Sequence, residues 1–131
     1  NGALGGLVAI TAEPLMPSPL MAIIIGGIGG ALVFAGTELL VSLKIDDVVG
    51  AIPVHLIAGV WGTLAVPITN PDTSFGTQLL GTASICVFVF VVSLIIWAVM
   101  KATIGIRISE EAEKEGTDVA ETGVIAYSIR D

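Results

Sequence analysis

The only histidine of the chain, His55, lies inside the apolar run from Val48 to Val66. A neutral imidazole carries one donor and one acceptor nitrogen, and it takes up or releases a proton near neutral pH. The run is long enough to cross a bilayer, because a hydrocarbon core of about 30 Å needs about 20 helical residues. Counted inward from Val48, the ring is expected about 10–12 Å below the cytoplasm-facing end, close to the midplane. A titratable group at that depth is expensive and faces a bundle interior or a water-containing path. The alternative is a packing histidine bonded to a neighbouring helix. The pathway reading is preferred, because ionisable groups inside a membrane are kept for function.

Other polar groups have plainer readings. Asp46 and Asp47 stand immediately before the histidine run, where a carboxylate caps exposed N–H groups and meets the positive end of the helix dipole. Such a cap would also set the depth of His55. Glu38, six residues before Lys44, is close enough to the expected cytoplasmic surface to snorkel or pair at a helix interface. Cys86 is the single cysteine and lies in an apolar run, so there is no disulfide framework or metal-ligand spacing, and small-residue packing is its expected role. No nucleophile–base pair, phosphate loop or metal cluster is recognisable, so the sequence suggests neither an enzyme nor a cofactor.

The elements that hold these residues follow from composition. Of 131 residues, 54% are hydrophobic and 13% charged, with a mean hydropathy of +0.97. A soluble domain of this size lacks the interior to bury so much apolar surface. The reading is an all-α polytopic membrane protein. Proline and charge divide it into apolar stretches at about 1–12, 20–43, 48–66 and 77–100, within a membrane bundle over 1–107 and a solvated tail over 108–131. The first stretch is too short to span by itself. With Asn1 at the front in place of an initiator methionine, and no signal-peptide pattern, further residues are expected upstream.

The five basic residues, Lys44, Lys101, Arg107, Lys114 and Arg130, fall in one loop or after the last span. The proline turn at 13–19 and the loop at 67–76 have none. The positive-inside rule therefore places the Lys44 loop and the C-terminal tail in the cytoplasm of a multi-pass cell-membrane protein. Gly2/Gly6 and Gly26/Gly30 are small residues four apart, which lets helix backbones approach closely in lipid. Gly59 and Gly62 flank Trp61 and permit a similar contact. Trp97 fits an interfacial belt, and Phe88 and Phe90 fit lipid-facing or core filler. From residue 110 onward the tail carries seven acids against Lys114 and Arg130, a composition usual for a solubilising face.

Three stretches resemble one family. Asn1-Gly2-Ala3-Leu4-Gly5-Gly6-Leu7-Val8-Ala9-Ile10-Thr11 is similar to the N-G-A-L-A-G-L-V-A-I-T stretch of the ammonium transporter (Amt/Mep/Rh) family. Asp46 to His55 with Gly59-Val60-Trp61-Gly62 resembles its D-D-x-x-G-A-x-x-V-H-x-x-x-G-x-W-G signature. Gly105-Ile106-Arg107-Ile108-Ser109-Glu110-Glu111, with Glu115-Gly116-Thr117-Asp118-Val119 and Ala126-Tyr127, resembles its C-terminal motif.

The resemblance implies the last four of eleven transmembrane helices of the ammonium transporter fold plus a cytoplasmic tail, in a homotrimer with one narrow pore per subunit. It implies transport of ammonium or ammonia, with His55 as the second of two pore histidines. It implies a regulatory tail in which Arg107, Glu110, Glu111 and Asp118 lie against the cytoplasmic face, where PII-type signalling proteins dock on bacterial relatives. The first pore histidine, the aromatic gate and the outer recruiting residues would belong to upstream spans. Departures from the pattern are Leu56 for a common glycine, Gly5 for alanine, and Ala120 near a threonine that is regulatory in plant members. An ammonium sensor coupled to a signalling module is the alternative. Partners are thus the bilayer, ammonium and a docking protein, with no nucleic acid.

Overall fold

A computed structural model describes residues 1–15 and 18–126. Met16 and Pro17 of the proline turn, and Tyr127 and Arg130 of the tail, lie outside the described residues. Among the described residues the chain is helical, with no strand: α1 Gly2–Ile10, α2 Pro19–Ser42, a π-helical segment Ile52–Ile57 that runs directly into α3 Ala58–Thr69, α4 Phe75–Thr103, α5 Glu110–Glu115 and α6 Thr117–Thr122. Three stretches, Pro19–Ser42, Ile52–Thr69 and Phe75–Thr103, are long and apolar enough to cross a membrane. The chain divides into two compact units, Asn1–Val87 and Phe88–Asp131.

In the first unit, α1 lies antiparallel on α2 through glycine. A methyl group built on Gly6 would stand 3.0 Å from the Gly26 carbonyl oxygen, and one on Gly30 would stand 2.9 Å from that of Gly2. Backbones this close leave no room for a side chain and maximise dispersion contacts, which hold helices together where lipid removes the hydrophobic drive. α3 joins them at Gly62, which abuts the backbone of Ala9. Two small cores result: Ala9, Ile25 and Ala65 with Ile10 and Trp61 against them, and Val33, Val54 and Ala58 with Val8. The Trp61 indole N–H donates to the Ile25 carbonyl at 3.0 Å, which gives a polar group in an apolar bundle its partner.

The chain leaves α2 through Lys44, whose φ of +56° is left-handed. The Ile45 N–H returns to Leu40 O and the Lys44 N–H to Val41 O, closing the last turn as glycine usually does. A second tie joins two loops of this unit: Asn70 Nδ2 donates to Glu13 Oε2 at 2.9 Å, while Asn70 Oδ1 accepts from the Asp72 N–H.

In the second unit, α4 continues to Thr103, and Gly105 just beyond its end takes a left-handed φ of +72°. Phe88, Phe90 and Trp97 are exposed along it. At 29 residues, α4 is about 43 Å long at ~1.5 Å per residue, more than a core of about 30 Å needs if it stands upright. Ser109 caps α5 by accepting from the Ala112 N–H. Gly116, at φ +105°, turns the chain from α5 into α6. The Asp118 carboxylate accepts from the Ala126 N–H at 2.7 Å and folds the segment beyond α6 back on it.

Candidate functional site: a cleft beside the histidine helix

The histidine helix begins with unusual backbone accounting. Asp47 accepts from the N–H of Ala51 through Oδ1 and from that of Ile52 through Oδ2, both at 2.8 Å. Pro53 has no N–H, so the carbonyl of Val49, four residues earlier, receives nothing from it. Asn1 Nδ2 donates to that carbonyl instead, at 3.2 Å. Gly50, at φ +74°, passes so close under the Asn1 amide that a side chain there would collide with it. From Ile52 to Ile57 the bonds are of the longer π type, as in Ala58 N–H to Pro53 O. Single-turn π segments are rare and gather at functional sites. Pro53 is fully buried, seated where Gly36 of α2 leaves space: a methyl group on Gly36 would lie 3.3 Å from Pro53 Cβ.

His55 lies in the middle of this segment and faces away from the buried Pro53 and Val54. Its ring lines an open cleft of about 290 Å³, formed wholly within residues 1–87. His55, Gly59 and Thr63 form one wall, and Gln78, Thr82 and Cys86 of α4 contribute to the other. Each trio is spaced by four, so each is a single stripe along one helix face. His55 is exposed and makes no hydrogen bond or ion pair among the described residues. The side-chain amide of Gln78 has no hydrogen-bond partner there either, and the Thr82 hydroxyl is buried without one. The cleft thus joins an imidazole to side-chain donors and acceptors that make no bond among the described residues, within otherwise apolar walls. No cluster of metal-ligand type is found among the described residues.

The remaining residues singled out in the sequence each have a setting of their own. Asp46 is exposed and makes no hydrogen bond among the described residues, so the capping falls to Asp47. Glu38 is exposed and forms no pair with Lys44. In the tail, Arg107 pairs with Glu113 through two contacts of 2.7 and 2.9 Å, not with Glu110 or Glu111. The hydrogen bond to Glu113 and its negative charge hold the guanidinium's pKa above the ordinary value. Glu110 pairs with Lys114 one turn on, and Glu111 is exposed. Sequence reasoning passed over Gln78 and Thr82. The available signal was a run of polar or small residues four apart, Gln78, Thr82 and Cys86, at the start of an apolar span.

The Ammonium Transporter Family model matches residues 1–127. The ammonium transporter Amt2 of Archaeoglobus fulgidus is 39% identical over 148 residues, which cover 97% of this chain and 31% of the relative. The ammonium transporter Amt1 of Haloferax mediterranei is 38% identical over 132 residues, 97% of this chain and 26% of the relative. The ammonium transporter of Bacillus subtilis is 34% identical over 143 residues, 97% of this chain and 35% of the relative. The chain spans about a quarter to a third of the length of these curated relatives. From its first residue to the end of α6 and just beyond, it belongs to the ammonium transporter family.

Proposed function

We propose that this chain supplies one wall of an ammonium-conducting pathway, with His55 as a proton-sharing group on it. The observation that carries the reading is the position of His55: an unpartnered imidazole on an open cleft, on a helix apolar enough to cross a membrane, in a chain of this family. The relatives are named as ammonium transporters. The family resemblance supplies the rest of the proposal: eleven spans, a homotrimer, a second histidine from an upstream span, a cytoplasmic C-terminus, and a tail able to meet a PII-type protein.

The chemistry follows from charge. An ion crossing apolar walls loses its hydration, a cost that excludes potassium. Ammonium avoids the cost by handing its proton to water at the mouth of the path and entering as neutral ammonia, which takes a proton up again from water at the far end. A pair of neutral imidazoles can then hydrogen-bond the passing molecule and each other, one ring donating while the other accepts. Asp47, Asn1 and the buried Pro53 hold the backbone of His55 and so fix where its ring stands.

The test is His55→Ala in the full-length protein, read as methylammonium uptake with and without competing potassium. Removing a polar group from an apolar helix leaves insertion and assembly intact. Uptake is expected to fall by on the order of 100-fold, as for loss of a group that transfers protons, or to lose its discrimination against potassium. His55→Glu retains part of the flux, since a carboxyl group also relays protons. Parental rate and selectivity in the alanine variant would make His55 a packing residue.

A further inference from the structure

We infer that Thr82 of α4 is a hydrogen-bonding wall of the His55 cleft, taking a small neutral molecule that both donates and accepts hydrogen bonds, namely ammonia. The inference rests on the reading of His55 as a pathway group and adds a residue on the opposite wall. Thr37, Thr63, Ser84 and Thr103 each return the side-chain hydroxyl to the carbonyl four residues earlier, at 2.8 to 2.9 Å. That bond is the usual way a helix in an apolar setting satisfies a hydroxyl. Thr82 does not make it, although the carbonyl of Gln78 is in the same position relative to it; its oxygen is buried with no partner among the described residues. A buried hydroxyl left unsatisfied costs free energy, so one that stays unpaired calls for a partner that the described residues do not supply.

Its position gives the use. Thr82 lines the same cleft as His55, with the unpaired amide of Gln78 one turn away on the same face. Thr63, on the histidine side, spends its hydroxyl on Gly59 and offers less. A rotation about the Thr82 Cα–Cβ bond exchanges methyl and hydroxyl at the wall, since threonine in a helix populates two rotamers. The hydroxyl can thus meet a molecule held by His55 and withdraw when it leaves. A neutral molecule suits the site better than a cation, because no carboxylate lines this cleft.

The experiment compares Thr82→Val, which keeps the shape and removes the hydroxyl, with Thr82→Ser, which keeps the hydroxyl. Both are made in the full-length protein alongside His55→Ala. Methylammonium uptake is normalised to the amount of assembled protein in the membrane. Thr82→Val is expected to lower uptake by about 2–10-fold, the effect of one neutral hydrogen bond lost, with Thr82→Ser near the parental rate. Parental uptake in Thr82→Val with a defective His55→Ala would overturn the inference and leave the reading of His55 standing. Parental uptake in both, with discrimination against potassium intact in His55→Ala, would overturn both. A loss of assembled protein in Thr82→Val that serine restores would show that the hydroxyl bonds another helix, and would overturn the inference too.

Discussion

Replacing Asp47 with alanine tests whether the cap sets the histidine helix. Two N–H groups lose a charged acceptor at once, those of Ala51 and Ile52, each held at 2.8 Å. Ala51 is exposed, so water replaces its partner; Ile52 is half-buried, so replacement there is incomplete. Loss of a capping side chain costs about 0.5–2 kcal/mol, and two bonds to one carboxylate place this case near ~2. The Asp47→Asn variant keeps one acceptor oxygen and is expected to lose about half as much. Amide hydrogen exchange on a peptide spanning Ala51 and Ile52, in the full-length protein, reads the local opening. A loss of about 1–2 kcal/mol raises exchange there roughly 5–30-fold. The parallel Asp46→Ala variant should change nothing, because Asp46 makes no hydrogen bond among the described residues. Equal exchange in the parental protein and both alanine variants, or an Asp46 effect as large as that of Asp47, would refute the assignment of the cap.

Two further predictions use other parts of the molecule. Gly62→Ala drives a methyl group into the backbone of Ala9, whose C and Cα would lie only 2.8 and 2.9 Å away, so α1 and α3 must part. Thermal unfolding should show a destabilisation of about 1–3 kcal/mol, while Gly59→Ala, with only Val8 Cγ1 at 3.8 Å to meet, should be tolerated. In the tail, Arg107→Gln should speed exchange within α5, and the difference should vanish near 1 M salt, where the Debye length is about 3 Å. Its pH dependence has a definite sign. The guanidinium's pKa is raised in the folded state, so on the alkaline side the guanidinium's contribution is present below its unfolded value and is lost as pH rises through the folded one. Exchange in the parental tail should therefore show no loss of this pair across the neutral range beyond the intrinsic rate change.

What was legible in the sequence was what composition and spacing control. An apolar chain broken by proline and charge gives an all-helical protein with spans long enough for a bilayer. The three motifs gave the family, because its residues are fixed by type as well as by spacing. Gly6 and Gly26, read only as small residues four from another glycine, turn out to face each other across α1 and α2. The π segment was not legible, since nothing in Ile52–Ile57 separates i→i+5 from i→i+4 bonding by local preference. It arises where Pro53 withholds an N–H and where Asp47 and Asn1, the latter from the far end of the unit, supply partners. The division of labour between Asp46 and Asp47 was also hidden, because both stand within capping range and only backbone direction selects one. The cleft needed two walls, and the second, Gln78 and Thr82, lies more than twenty residues away along the chain.

The packing of the histidine helix and its chemistry are one problem. Along this helix Pro53, Val54, Ala58, Gly62 and Ala65 are buried, on the side that meets α1 and α2. His55, Gly59 and Thr63 form the stripe on the cleft. Neighbouring helical residues differ by about 100° in direction, so fixing the first face fixes the second. The small residues of the buried face therefore aim the imidazole, although none of them touches it. Gly62 does this most directly, because only a residue without a side chain lets α3 lie on the backbone of Ala9. A methyl group there separates two helices and turns the cleft-facing stripe with them. On this argument Gly62→Ala reduces stability and transport together, whereas His55→Ala reduces transport alone. A Gly62→Ala protein that was destabilised yet carried methylammonium at the parental rate would show that the aim of His55 does not depend on this contact.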